Sequence, residues 1–140
     1  MATEYEDMDE GEETEETEKN YSTAEAAAFI GTLLLAAPMA HMLHLQTKSY
    51  AQHKALEELY TGLPEKVDAL AECYQGCYGI ITKYPRMALP PLEKPIHFVA
   101  GLIEYVEENR ERVADESQIQ NLIDEIAALL DTVAYKLILS

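Results

Sequence analysis

The sequence predicts an all-α fold: a four-helix bundle whose second and third helices are joined by a long proline-rich connection. Three observations carry that reading. Alanine, leucine and glutamate are abundant, tryptophan is absent and glycine numbers only 6 in 140 residues, a composition that favours helices. Apolar residues recur at spacings of three and four, the period of a helix with one buried face. Four prolines crowd into residues 80–95, IITKYPRMALPPLEKP, and each lacks a donor and restricts the residue before it, so no long helix runs there. With 48% hydrophobic residues, the chain holds one domain around a single core.

Charge divides the chain into two parts. The formal charge is −16, and residues 1–20 hold ten acids against Lys19, a charge of −9 that leaves −7 for the remainder. Such a segment buries little and repels itself, so residues 1–20 are expected to be a disordered acidic tail and 21–140 the bundle. An acidic arm excludes DNA binding of the kind that needs lysine and arginine against phosphate. A solvating role suits the tail better than gathering cations near a pore.

The first helix opens on Ser22, which can accept from the Glu25 amide while Glu25 reaches back, a capping box. It should run to about Leu45, with a kink at Pro38. Residues 26–43, AAAFIGTLLLAAPMAHML, carry no formal charge and reach the lower limit of membrane-spanning length. Pro38, His41 and the lack of a flanking basic cluster speak against a span, and the acidic start is unlike a signal peptide. No membrane association is expected; a helix buried on several sides accounts for the same residues.

Ser49 with Gln52 forms a second capping box. The helix it opens has apolar positions Tyr50, Ala55, Leu56, Leu59, Tyr60, Leu63, Val67, Leu70, Ala71 and Tyr74. Gly62 and Pro64 interrupt it, but the apolar period resumes in phase, so the helix is expected to continue to Gly76 or Gly79. After the proline-rich connection, which has room for one helical turn, Pro95 suits the first turn of a third helix running to about Val113. Its inward face is Phe98, Val99, Leu102, Ile103 and Val106. The charged run 104–112 reads as a solvated face with pairs such as Glu108 and Arg112, and His97 as structural or exposed. Asp115 with Gln118, or Ser117 alone, should cap the last helix. That helix buries Ile119, Leu122, Ile123, Ile126, Leu129, Leu130, Val133, Leu137 and Ile138. Cys73 and Cys77 lie four apart, a spacing poor for a disulfide within a helix. Without a CxxC pair there is no zinc ribbon, and the thiols are expected to be reduced and buried.

The chemistry concentrates in residues 41–76, HMLHLQTKSYAQHKALEELYTGLPEKVDALAECYQG. His53 and Glu57 are four apart, as are Asp68 and Glu72, so each pair sits on one helix face one turn apart. Imidazole and carboxylate together suit first-row transition metals, iron among them. From Glu57 to Asp68 the helix returns to nearly the same face after a rise of about 16 Å, so one helix cannot close a site with all four groups. Two copies packed antiparallel about a two-fold axis could make two equivalent sites, the commonest form of self-association.

This stretch resembles the Dps-like mini-ferritins, members of the ferritin-like superfamily. Their second helix carries His-x3-Asp and, eleven residues on, Asp-x3-Glu, and a further histidine comes from the end of the first helix. His53, Asp68 and Glu72 match that pattern directly, and Glu57 stands where the family has aspartate. Two residues are candidates for the helix-end histidine. His41 has the family's spacing of twelve to His53; His44 suits the tight turn that Ser49 imposes. The resemblance covers residues 22–140 and extends to the terminal segment NLIDEIAALLDTVAYKLILS. That segment, with SYAQHKAL and AECYQG, is also similar to small proteins of tailed bacteriophages.

The resemblance implies a ferritin-like four-helix bundle with the proline-rich segment as its crossover. It implies a ferroxidase, with Fe(II) held by His44 (or His41), His53 and Glu57 of one subunit and Asp68 and Glu72 of the mate. Iron, Fe2+ oxidised to Fe3+ by peroxide or dioxygen, would be substrate and cargo, with another first-row divalent metal as the alternative. No catalytic residue beyond these ligands is expected. The partner is a second copy, a two-fold dimer that the resemblance extends to a dodecameric shell. Location is cytoplasmic, in a bacterial host, or on a virion. The competing expectation is an inert ferritin-like helical oligomer serving as a phage structural or host-interaction protein. Other chemistries lack their signatures: there is no glycine-rich phosphate loop, no G-x-S-x-G, no HExxH and no ExxH.

Overall fold

The computed structural model describes residues 22–140, and the expected acidic tail lies outside them. Among the described residues the fold is all-helical, without strands. Its helices are α1 (Thr23–Gln46), α2 (Tyr50–Tyr78), α3 (Pro95–Asn109) and α4 (Ser117–Ile138), with a 3-10 turn at Arg110–Arg112 after α3.

The helix starts follow their caps, with two changes of partner. Ser22 caps α1 as expected, but its hydroxyl takes the amide of Ala24 at 3.2 Å rather than that of Glu25. Ser49 caps α2 through the Gln52 amide at 3.2 Å. The Gln52 side chain turns to the Thr47 hydroxyl, not back to Ser49. The expected cap of α4 is corrected. Glu116 is the N-cap, without a side-chain cap bond, and Ser117 is the first helical residue. The Gln118 amide points to the Cys77 sulfur, 3.7 Å away. Glu116 instead accepts from the Tyr78 hydroxyl at 2.6 and 2.8 Å, a charge-assisted bond worth about 1.5–3 kcal/mol that ties the end of α2 to the start of α4.

α2 runs unbroken through Pro64, and α1 through Pro38. Gly79 ends α2 with φ 102°, a backbone that favours glycine. Residues 79–94 carry no helix, not even one turn, because their prolines supply no donors. Tyr84 and Met87 from this segment lie across α1 at Gly31, whose missing side chain makes room for the Met87 methyl.

α1 packs along α2, α2 along α4 and α4 along α3, with a lighter contact between α1 and α3. Lys136 meets Glu58 at 2.6 Å, Lys66 meets Glu125 at 3.8 Å, and Tyr78 meets Glu116, so α2 and α4 run antiparallel. Phe29 stacks on Tyr105, centroids 5.7 Å apart, joining early α1 to late α3. The core is a set of fully enclosed aliphatics, among them Ile30, Leu33, Leu56, Leu59, Leu63, Leu70, Ile119, Ile123 and Ile126. Two positions assigned to that core are corrected: Tyr50 is 75% exposed and Ile138 is 70% exposed. Each lies in a terminal turn of its helix, on the side turned to solvent.

α3 stops at Asn109, short of Val113, because an arginine there reaches across to α4. Arg110 donates Nε to the Gln120 side chain at 2.9 Å and Nη2 to the Gln120 carbonyl at 3.1 Å, and pairs with Asp124. Gln120 returns its amide to the carbonyls of Arg110 and Ala114 at 2.9 and 2.8 Å. Arg112, which the charge pattern pairs with Glu108, donates to the Asn109 side chain. α1 is long and apolar enough to cross a membrane by length and composition, and 56% of its most apolar window is buried by the other helices.

Candidate metal centre

The three-residue turn 47–49 sets the geometry. Thr47 and Ser49 are both extended, and the Thr47 hydroxyl accepts from the Ser49 amide at 3.1 Å while donating to Gln52. The chain therefore reverses at once, and the last turn of α1 faces the first turn of α2. His44 and His53 meet there. Their rings stack with centroids 3.6 Å apart and an 18° tilt. His44 Nδ1 is 2.7 Å from the His53 carbonyl oxygen, and His53 Nδ1 is 2.8 Å from the His44 carbonyl oxygen.

A carbonyl oxygen only accepts, so each Nδ1 must carry the hydrogen. In the neutral ring this puts the lone pair on Nε2. Metal-binding histidines are held in the same way, with the non-ligating N–H donated to a carbonyl or carboxylate. His44 is the one buried polar side chain among the described residues, 6% exposed, whereas His53 is half-buried. Tyr60 brings its hydroxyl to 3.5 Å from His44 Nε2.

His41 has a different position. It is exposed and lies flat on the Tyr60 ring at 4.0 Å, 5.7 Å edge-on from His44. Of the two helix-end candidates, His44 is the one that pairs with His53. Glu57 follows one turn after His53, half-buried beside an open groove of about 520 Å³ that Lys54, Glu58, Thr61 and Lys136 also line. It accepts from Lys54 Nζ at 3.0 Å. That bond, then the Lys54 charge, holds the Glu57 carboxyl below the usual range, with smaller contributions from His44 and His53. Glu57 is thus within electrostatic reach of both imidazoles.

Asp68 and Glu72 are exposed further along α2, about 22 and 28 Å in axial rise from His53. The four α2 residues fall within an arc of about 100°, roughly opposite the buried stripe of Leu59, Leu63, Leu70 and Tyr74. Among the described residues, no three His, Cys, Asp or Glu side chains of one chain gather into a metal-holding group. The structure brings together His44 and His53 and places His41 alongside; Glu57 follows one turn on in contact with Lys54, and Asp68 and Glu72 are exposed further along α2.

Sequence reasoning read Tyr60 as core, yet its ring forms one wall of the histidine cluster. The available signal was its spacing of seven from His53, two turns on. The two cysteines were expected to be buried; that is corrected, since they lie beside the buried stripe of α2 rather than on it, Cys73 half-buried and Cys77 exposed.

Residues 44–137, which run from the buried histidine almost to the end of α4, match the family of unknown function DUF5856. The chain is 30% identical over 108 residues to the "Uncharacterized 14.6 kDa protein in mobD-ri intergenic region" of Enterobacteria phage T4, covering 76% of this chain and 82% of that one. The phage relationship is in keeping with the similarity seen in the SYAQHKAL and AECYQG segments. No solved structure matches the chain. On the extent of these two matches, the chain belongs to the DUF5856 family.

Proposed function

We propose that this protein is a Dps-like, iron-oxidising mini-ferritin whose sites form between two chains related by a two-fold axis. The single observation that carries the reading is the reciprocal histidine pair, in which both Nδ1 atoms are committed to backbone carbonyls, so that each Nε2 carries the lone pair a cation would take, His44 Nε2 by displacing the Tyr60 hydroxyl. The outward carboxylates of Asp68 and Glu72 support it, since they lie on the same arc of α2 as His53 but too far along it to serve their own histidines. Two imidazoles and three carboxylates fit a first-row divalent ion, with Fe(II) as substrate.

In this reading the bundle is ferritin-like and residues 79–94 are its crossover. His44, His53 and Glu57 bind the ion from one side; the mate's Asp68 and Glu72 offset its charge from the other. The imidazoles occupy few positions around the metal and so leave room for peroxide or dioxygen. Tyr60 shields His44, and the carbonyl bonds hold both rings still.

Ferrous oxidation, followed by ferric absorbance, tests the proposal. Wild type should be fast and both His53→Ala and Glu72→Ala slow. Mixing and reassociating the two variants should restore about a quarter of the sites, because each mixed dimer then holds one intact site. A wild type no faster than the doubly substituted chain removes the enzyme reading. An inert helical oligomer of a phage is the second reading. The Lys54–Glu57 ion pair favours it, because it occupies one of the five proposed ligands.

A further inference from the structure

A second cluster of metal-ligating side chains lies away from the histidines. Cys73 and Cys77 occupy successive turns near the end of α2, on the flank that faces the start of α4. That flank is about 100° or more around the helix from the Asp68–Glu72 line. The two thiols lie one helical turn apart, near enough for the charge of one to act on the other, and Cys77 is exposed. The Gln118 amide donates to the Cys77 sulfur from 3.7 Å. Glu116 lies close enough for its charge to act on Cys73, but its oxygens are occupied by the Tyr78 hydroxyl.

The spacing decides which chemistry the pair can support. A disulfide needs β-carbons about 3.8 Å apart, whereas helical residues four apart hold theirs at about 5–6 Å, so oxidation would have to break the helix turn. A metal ion bound to two sulfurs at about 2.3 Å each spans up to about 4.6 Å between them, which side chains on adjacent turns can reach. Zinc needs four ligands, and no third ligand joins the thiols among the described residues. A soft ion content with two thiolates remains.

We propose that Cys73 and Cys77 form a two-thiolate site for a soft monovalent metal ion, copper(I). Binding breaks two S–H bonds, forms two Cu–S bonds and releases two protons to solvent, with copper unchanged in oxidation state. Gln118 then donates to a thiolate rather than a thiol, and the Glu116 carboxylate favours the cation's approach. Because binding releases two protons, the affinity rises with pH.

The test is anaerobic competition of the full chain against the copper(I)–bicinchoninate complex, read by loss of its colour. Wild type should take one ion per chain. Cys73→Ser and Cys77→Ser should each weaken binding at least a hundredfold, with circular dichroism confirming intact helices. His44→Ala should bind copper(I) as wild type does, which separates this site from the histidine centre. The proposal is overturned by equal binding in wild type and the double serine variant, by retention in either single variant, by loss in His44→Ala, or by one ion per two chains.

Discussion

The stacked histidines make a prediction that depends on which atoms they bond. His44→Ala removes one hydrogen bond to the His53 carbonyl and the face contact between rings. The opposing bond, from His53 Nδ1, ends on the backbone of residue 44 and survives the substitution. The lost bond contributes about 0.5–1.5 kcal/mol and the ring contact about 0.5–1.5 kcal/mol. The single variant should therefore lose about 1–3 kcal/mol, lowering the melting midpoint by about 4–15 °C. His53→Ala should lose the mirror image, at the lower end because His53 is half-buried. Both bonds run to backbone carbonyls, so their losses add, and only the ring contact is shared. The double variant should then be less destabilised than the sum of the singles by about 0.5–1.5 kcal/mol. Urea unfolding of the four proteins, with constant slope across the set, measures this. A double variant that loses the full sum would refute the ring contact. One that loses no more than a single variant would refute the backbone bonds.

Three other perturbations address the rest of the molecule. Gln120→Ala removes the side-chain amide from the Ala114 and Arg110 carbonyls and the acceptor of Arg110 Nε, while Arg110 Nη2 keeps the backbone carbonyl of residue 120 and Asp124, and should cost about 1–3 kcal/mol by chemical denaturation. Leu59→Ala, at a fully enclosed position, should cost about 2–5 kcal/mol by the same measure. Lys54→Gln removes the largest cause of the lowered Glu57 carboxyl, so its titration, followed by carbon NMR, should move up in pH. The sign follows from linkage: a depressed carboxyl stabilises the fold above its unfolded-state value and loses that contribution as pH falls. With Glu57 open to solvent and screened, the change should show in the titration and hardly in the melting midpoint.

The sequence made the helices legible where a single residue controls a boundary. Ser22, Ser49 and Pro95 mark starts, and Gly79 marks an end, because caps and backbone restrictions act within three or four residues. The continuity of α2 through Pro64 was readable from the phase of its leucines. The end of α3 was not, since it depends on Arg110 reaching ten residues along the chain to Gln120. The start of α4 was misread for a related reason: Asp115, Ser117 and Gln118 all have capping chemistry, and the winner was settled by Tyr78 drawing Glu116. Within the candidate centre, spacing put His53 and Glu57 one turn apart on the same flank of α2, and that placement holds. The choice between His44 and His41 turned on the tight reversal at 47–49, which the cap at Ser49 suggested but could not fix. The carbonyl bonds to Nδ1 leave no mark in sequence, since any residue supplies a carbonyl.

The paired imidazoles are only nine positions apart along the chain, with their meeting arranged by one short reversal. Contacts so close in sequence close quickly during folding. The histidine pair can therefore close while the last helix is still unplaced. In the proposed two-chain site, carboxylates would then be brought to imidazoles already fixed in orientation, and association would carry little of the ordering cost.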